Sequence, residues 1–128
     1  MHEFELVIRL VAAVILGALV GIEREIVHKP AGLRTNILVC LGSSLITIVS
    51  TYYYTIDPAR LAAGIVTGVG FLGAGAIIAT KGEVKGITTA ASIWAVAAIG
   101  ITVGLGLYLL ASVTAILVFI ILELWRVE

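Results

Sequence analysis

The chain is poor in charge, cysteine and proline. Only 12% of its 128 residues are charged, and it contains one cysteine and two prolines. A single cysteine, Cys40, excludes a disulfide framework and a multi-cysteine metal site. Eight basic and eight acidic residues balance to a formal net charge of zero, so no charge excess indicates nucleic acid as a partner. With 61% hydrophobic residues and a mean hydropathy of +1.20, the composition excludes a water-soluble globule.

Signatures of catalysis are also scarce. His2 and His28 are the only histidines, and both lie outside the long apolar runs, so neither can act as a base for Ser43 or Ser44 within a membrane. No HExxH-type pair of metal ligands occurs in the sequence. We therefore expect no enzymatic activity, no catalytic residues and no cofactor.

The chain has long apolar runs instead. About 20 apolar residues span the ~30 Å hydrocarbon core of a bilayer, and stretches of about this length recur along the sequence. The last stretch, Ala90–Leu122, is too long for one crossing, and we expect it to turn at Gly104–Gly106. The sequence predicts one all-α integral membrane domain, residues 1–128, with five transmembrane helices. These helices are expected at Glu5–Ile22, Asn36–Tyr54, Arg60–Ala79, Ile87–Val103 and Leu107–Leu124.

Basic residues in the short loops predict the orientation, because loops rich in Lys and Arg remain in the cytoplasm. One side of the predicted membrane carries Arg24, Lys29, Arg34, Lys81, Lys85 and Arg126. The other side carries Arg9 and Arg60. This distribution predicts a multi-pass protein with its N-terminus outside and its C-terminus in the cytoplasm, which requires an odd number of crossings.

Glycines recur at helical spacing in two predicted helices. Gly68–Gly73 spells the GxGxxG dinucleotide fingerprint, but it lies within an apolar run and lacks the preceding strand and the acidic residue that nucleotide binding requires. Small residues let membrane helices approach closely, so we interpret the glycines as packing positions. They are Gly17, Gly21, Gly64, Gly68, Gly70, Gly73 and Gly75. Two glycine-rich faces on the third helix predict that this helix is central and that the chain forms a homo-oligomer.

Polar side chains follow one face of the second predicted helix. The stripe consists of Asn36, Cys40, Ser43, Thr47, Ser50 and Tyr54. Two interpretations of this stripe are open. In the first, the hydroxyls bond back to carbonyls one turn earlier, and in the second they line an internal hydrophilic path.

Ionisable residues near the membrane edges complete the candidate set. Glu23 and Glu25 end the first helix, where they form either surface ion pairs or the inner mouth of a cation path. Asp57 before Pro58 is typical of an N-cap followed by proline at the first helical position. Arg9 lies within the first apolar run and either snorkels or pairs inside the bundle. The candidate ion-path or gate residues are Glu23, Glu25, Arg34, Asn36, Ser43, Thr47 and Asp57.

Five blocks in a fixed order carry a family resemblance. They are Gly21–Glu25, Lys29–Thr35, Asp57–Arg60, Gly68–Gly75 and Gly86–Trp94. Together these blocks resemble the MgtC/SapB family of prokaryotic inner-membrane proteins. The resemblance implies a protein linked to magnesium homeostasis, with Mg²⁺ as a substrate or ligand. Virulence-associated members resemble this domain followed by a soluble cytoplasmic domain, which we expect this chain to lack.

The resemblance leaves two alternatives for function. The first is transport of Mg²⁺ or another cation, and the second is regulation of another membrane complex without transport. Mg²⁺ loses its water reluctantly and prefers carboxylate ligands, yet no acidic residue lies within a predicted membrane core. A transport role would therefore place the path at an oligomer interface or require a different, less hydrated substrate. The expected partners are the lipid bilayer, further copies of the chain and an unidentified membrane complex.

Overall fold

The computed structural model describes residues 2–53, 57–78 and 86–127, and within these ranges it is a bundle of five α-helices. They are α1 (His2–Ile26), α2 (Leu33–Tyr52), α3 (Pro58–Ile78), α4 (Ile87–Gly104) and α5 (Tyr108–Leu122), and a 3-10 turn, η1 (Glu123–Val127), continues α5. Each helix, with α5 counted through Arg126, is long and apolar enough to cross a membrane. The prediction of an all-α membrane protein with five spanning helices is confirmed. The predicted helix ends at Tyr54 and Ala79 lie outside the described residues.

The first two helices extend beyond their predicted bounds for local reasons. α1 continues through Glu23 and Arg24 because these two side chains pair with each other and are buried in the bundle. α2 begins before Asn36 because the Glu25 carboxylate accepts a hydrogen bond from the backbone N–H of Leu33 at 2.9 Å. A carboxylate at a helix N-terminus satisfies one of the free N–H groups and interacts favourably with the helix dipole.

Three described connections turn into the left-handed region; His28 occupies the one between α1 and α2 with φ of 58°, and glycine occupies the other two. Gly86 precedes α4 with φ of 86°, and Gly106 joins α4 to α5 with φ of 80°. Residues with a Cβ adopt these angles only at a cost, whereas glycine does not. The turn between the last two helices therefore falls within the segment where the sequence predicts it.

The central helix of the bundle is α4, which packs against each of the other four helices. Half of its membrane-length window is buried, compared with 11% for α3. This corrects the expectation that the third helix is central. A Cβ built on Gly64, Gly68, Gly70 or Gly75 would meet no heavy atom of the described residues within 4 Å.

Small residues permit close approach but do not determine which helix uses it. On α3, Gly73 is the glycine that packs closely, with a built Cβ 3.3 Å from the Cβ of Ala90 on α4. The glycines of α4 have much tighter surroundings. A Cβ on Gly104 would lie 2.7 Å from the Thr47 Cβ, and one on Gly100 would overlap the Cys40 carbonyl oxygen. The sequence predicts that glycines of α3 make the close helix contacts, but glycines of α4 make them.

The polar face of α2 lies inside this contact. On its other side, a Cβ built on Gly17 of α1 would lie 2.9 Å from the Cβ of Cys40, and one on Gly21 would lie 2.8 Å from the Cα of Leu33. Cys40 of the polar stripe is therefore enclosed between a glycine of α1 and a glycine of α4, and Ser43 and Thr47 contact glycines of α4. Large apolar side chains face outward instead, including Phe71 and Leu109, each 80% exposed. A polar interior with an apolar exterior is the distribution expected of a bundle surrounded by lipid.

We predict that Gly100→Ala lowers the thermal unfolding midpoint of the protein in detergent. The added methyl group would lie 2.8 Å from the Ser43 Cβ and overlap the Cys40 carbonyl, and overpacking of this kind costs ~1–3 kcal/mol. Gly42→Ala is the matched control, because a Cβ there meets no described atom within 4 Å and alanine is a better helix former than glycine. Equal midpoints for the two variants would contradict the contact.

Candidate functional site

The bundle has two polar ends. At one end, which we call the Arg9 end, the start of α1 meets the end of α2 and the α4–α5 turn. At the other, the Arg24 end, the end of α1 meets the start of α2, the start of α4 and the end of α5. The two arginines differ in how completely their hydrogen-bonding groups are used.

Arg9 holds four helices together. Its Nε donates to Glu5 at 2.9 Å, its Nη1 donates to the carbonyl oxygen of Gly104 at 2.8 Å, and its guanidinium lies 5.4 Å from the ring centroid of Tyr52. Tyr108 on α5 donates to the same Glu5 carboxylate at 3.0 Å. Of the two alternatives for Arg9, pairing inside the bundle is the one observed. This end is a structural anchor.

The Arg24 end contains a buried ion pair that is incompletely bonded. The side chains of Glu23 and Arg24 are each 2% exposed, and the Arg24 Nε donates to Glu23 Oε1 at 2.8 Å. Glu23 Oε2 and Arg24 Nη1 are buried without a hydrogen-bond partner among the described residues. Buried polar atoms are rarely left unpaired, because each lost partner costs ~1–3 kcal/mol, and more for a charged group. Such a pair indicates a role beyond holding the helices together.

A second acid and a second arginine lie beside this pair. Glu123 lies beside Glu23, and its carboxylate accepts a hydrogen bond from Arg126 Nε at 3.1 Å. The cluster therefore joins two carboxylates to two guanidinium groups. The described residues contain no group of three or more His, Cys, Asp or Glu side chains that could hold a metal ion. Adjacent arginines also disfavour a divalent cation at the two carboxylates through charge repulsion.

A cavity of about 640 Å³ opens next to the cluster. Its lining, among the described residues, includes Arg24, Lys29, Thr88, Ile121, Trp125 and Arg126. In the sequence, Arg24, Lys29 and Arg126 predict only the orientation, Trp125 indicates only a position at the membrane interface, and Thr88 belongs only to the family resemblance. No single helix carries the site, and the relevant signal was the coincidence of arginines with carboxylates at the ends of the first and last apolar runs.

The acidic and basic candidates from the sequence are distributed over both ends. Glu25 lies at the Arg24 end and caps α2, whereas Arg34 is exposed near the start of that helix. Asp57 is exposed at the start of α3, 3.6 Å from Arg60. Glu23 is therefore the one acidic candidate that lies in the buried cluster. The structure does not bring Asp57 together with it.

Asn36, Thr47 and Ser50 of the polar stripe donate hydrogen bonds within their own segment, whereas Asn36 Oδ1 is buried without a partner among the described residues. Asn36 Nδ2 donates to the carbonyl oxygens of Ala31 at 3.1 Å and Gly32 at 2.8 Å, which fixes the loop before α2. Thr47 Oγ1 donates to the Ser43 carbonyl at 2.8 Å. Ser50 Oγ donates to the Thr47 carbonyl at 3.0 Å. These bonds correspond to the first interpretation of the stripe, in which hydroxyls bond to the preceding turn.

Five apolar helices, an enclosed polar face and an apolar exterior define a multi-pass membrane protein. A family model described as the MgtC family matches residues 10–127. The chain therefore belongs to the MgtC family, as the five sequence blocks indicate. No solved structure matches it.

Curated relatives support this membership. The chain is 42% identical over 131 residues to the protein named "Putative magnesium transporter YhiD" of Escherichia coli K12, with 95% of this chain and 61% of the relative covered. It is 43% identical over 118 residues to protein MgtC of Salmonella typhimurium LT2, covering 92% of this chain and 51% of the relative. Protein SapB of Bacillus subtilis 168 is 39% identical over 129 residues, covering 93% and 56%. The chain spans about half to three fifths of the length of these relatives.

We predict that Arg24→Met destabilises the protein far more than Arg34→Met. Removing one partner of a buried ion pair leaves the other charge uncompensated and typically costs ~3–5 kcal/mol. The same substitution at exposed Arg34 is expected to change stability by no more than ~0.5 kcal/mol. The measurement is the thermal unfolding midpoint in detergent. Similar midpoints for the two variants would show that Glu23 is not held as a buried charge.

Proposed function

We propose that the chain acts in magnesium homeostasis as a regulator within the membrane, without a cation path through its own bundle and without catalysing a reaction. Family membership and the printed name of the Escherichia coli relative support the link to magnesium. Transport is the first expectation from the sequence, and the packing of the polar stripe favours the second expectation, regulation. The chain covers only part of its relatives, so the proposal concerns this membrane domain.

One observation carries the preference for regulation. The polar side chains that would line a path instead contact glycines of two neighbouring helices, with Cys40 against Gly17 and Thr47 against Gly104. A largely hydrated Mg²⁺ ion needs a wide passage, because the ion gives up its water reluctantly. A close helix contact supplies no such width, and widening it would break the central packing of the bundle.

We expect no Mg²⁺ flux from the purified protein in proteoliposomes under an imposed gradient, measured with an enclosed fluorescent indicator. Empty vesicles provide the baseline, and an unfolding midpoint measured on the same preparation verifies that the protein is folded. Robust flux that is reduced by both Glu23→Gln and Ser43→Ala would contradict the proposal and restore transport as the first candidate.

Self-association is a second element of the proposal, and the open glycine face of α3 supports it. Gly64, Gly68 and Gly75 are exposed and have no described heavy atom near a built Cβ. Glycine at such spacing is enriched where membrane helices meet. We propose that α3 pairs with α3 of another copy. This interface is also where a transport path would lie if flux were found.

We expect Gly68→Leu to reduce the oligomeric mass of the detergent-solubilised protein, measured by light scattering on a sizing column. A leucine at the interface separates the two backbones and removes their dispersion contacts. Gly42→Leu is the matched control, because it makes the same change at an open position on α2. A monomeric wild-type protein, or equal masses for wild type and Gly68→Leu, would rule out this interface.

We also propose that the chain resides in a prokaryotic inner membrane with its C-terminus in the cytoplasm. Support comes from the bacterial relatives and from the excess of basic residues on one side of the predicted helices. Reporter fusions after Tyr53 and after Glu128 are expected to give external and cytoplasmic signals, respectively. A cytoplasmic signal from the Tyr53 fusion would reverse the orientation.

A further inference from the structure

We propose that the cavity at the Arg24 end binds the headgroup of an anionic phospholipid. This inference concerns a site that the proposed function does not use, and it does not depend on how the chain acts on magnesium. It follows from the charge of the cavity, from a donor of Arg24 that has no partner among the described residues, and from the position of the cavity at the ends of the helices.

The charge of the cavity is basic. Arg24, Lys29 and Arg126 line it, and the described lining residues include no Asp or Glu. Two carboxylates lie close by, and each of them binds an arginine through Nε: Glu23 binds Arg24, and Glu123 binds Arg126. These bonds fix the planes of the two guanidinium groups. Lys29 adds a third positive charge to the lining. Such an arrangement attracts an anion.

Arg24, which lines the cavity, has one buried donor without a hydrogen-bond partner among the described residues. Arg24 is 2% exposed, and its Nη1 has no hydrogen-bond partner among the described residues. The terminal nitrogens of a guanidinium group match the oxygens of a phosphate in geometry and charge. A phosphate oxygen would satisfy this buried group, which the described residues leave unpaired, by displacing the side chains that cover Nη1. The hydroxyl of Thr88 provides a further polar group in the lining.

The remaining wall is apolar and points to a lipid instead of a free anion. Ile121 and Trp125 line the cavity and are 60% and 50% exposed, so this wall is continuous with the apolar outer surface of α5. The guanidinium of Arg126 lies 4.7 Å from the centroid of the Trp125 ring. A soluble phosphate gains nothing from such a surface. A phospholipid places its phosphate among the basic groups and its acyl chains along α5.

The position in the bundle fits this ligand. The cavity lies where α1 ends and α4 begins, and beside the last residues of the fifth membrane-length window. Bilayer headgroups occupy this level, and basic pockets between helix ends are known recognition sites for anionic headgroups. The volume of about 640 Å³ falls within the usual ~300–1,000 Å³ range of ligand pockets.

The test uses phosphatidylglycerol with brominated acyl chains, which quench a nearby tryptophan. The protein carries Trp94→Phe, so its emission comes from Trp125 alone. Brominated phosphatidylcholine, which has a phosphate but no net charge, is titrated in parallel into the same mixed detergent micelles. We expect phosphatidylglycerol to quench at a much lower mole fraction than phosphatidylcholine. Equal quenching by the two lipids would overturn the proposal.

Variants then connect this preference to the cavity. Lys29→Gln and Arg126→Gln are each expected to weaken phosphatidylglycerol binding about fivefold, and together about 25-fold, since one basic residue near an anionic surface contributes on this scale. Arg34→Gln is the matched control, because it removes an exposed basic residue near the same end that does not line the cavity. A preference that persists in the double variant would place the lipid elsewhere and overturn the proposal.

A competition arm distinguishes the lipid from a soluble anion. Inorganic phosphate and glycerol 3-phosphate are added separately to the protein with bound brominated phosphatidylglycerol. We expect neither to restore Trp125 emission at millimolar concentration, because neither contacts the apolar wall. Restoration by either would assign the cavity to a soluble phosphate and overturn the lipid proposal. Lys29→Gln alone also tests the contribution of the cavity to phosphatidylglycerol binding. Lys29 is exposed in a loop, so folding does not depend on its side chain.

Discussion

The architecture depends on one constraint, the backbone contact of α2 with glycines of α1 and α4. In lipid the hydrophobic effect does not hold helices together, so dispersion at short distance has to do so. The contact requires small side chains on α2. Cys40, Ser43 and Thr47 supply them, and the Thr47 hydroxyl bonds to the Ser43 backbone carbonyl. The same contact places α4 at the centre and brings both arginine clusters to the ends of the helices. The polar stripe is therefore part of the packing of the bundle.

The two buried arginines show how one residue type serves different purposes in one bundle. Arg9 has partners on Nε and Nη1 and an aromatic ring beside it, and it joins four helices. Arg24 lines a cavity and binds its neighbour Glu23 through Nε, and its Nη1 has no partner among the described residues. Burial alone would not separate them, since both are nearly inaccessible. The difference lies in which donors are used, and it identifies the Arg24 end as the place where a ligand is expected.

Periodicity and composition predict the helices and the last turn. They do not predict which surfaces of different helices contact each other. Five helices follow from the spacing of apolar runs, and the turn before α5 follows from Gly106, whose left-handed φ favours glycine. The central position of α4 does not follow, because Gly68 and Gly100 look alike as sequence and differ only in what lies opposite them. Glu23 is recognised as a candidate, but its position beside Glu123 of η1 is not, because the two residues are far apart in the sequence. The cavity cannot be predicted from the sequence for the same reason, because its lining residues come from helices that are far apart in the chain.

The peripheral position of α3 has a consequence for the way the protein is assembled. Helices of a polytopic protein enter the bilayer in chain order, so α1 and α2 are inserted before α4 has been synthesised. During this interval the hydroxyls of Thr47 and Ser50 can bond to backbone carbonyls of α2 itself, which lowers the cost of exposing them to lipid. Because α3 packs at the edge, it leaves the polar face of α2 accessible. The fourth helix, α4, can therefore pack directly against the hairpin of α1 and α2 without displacing α3.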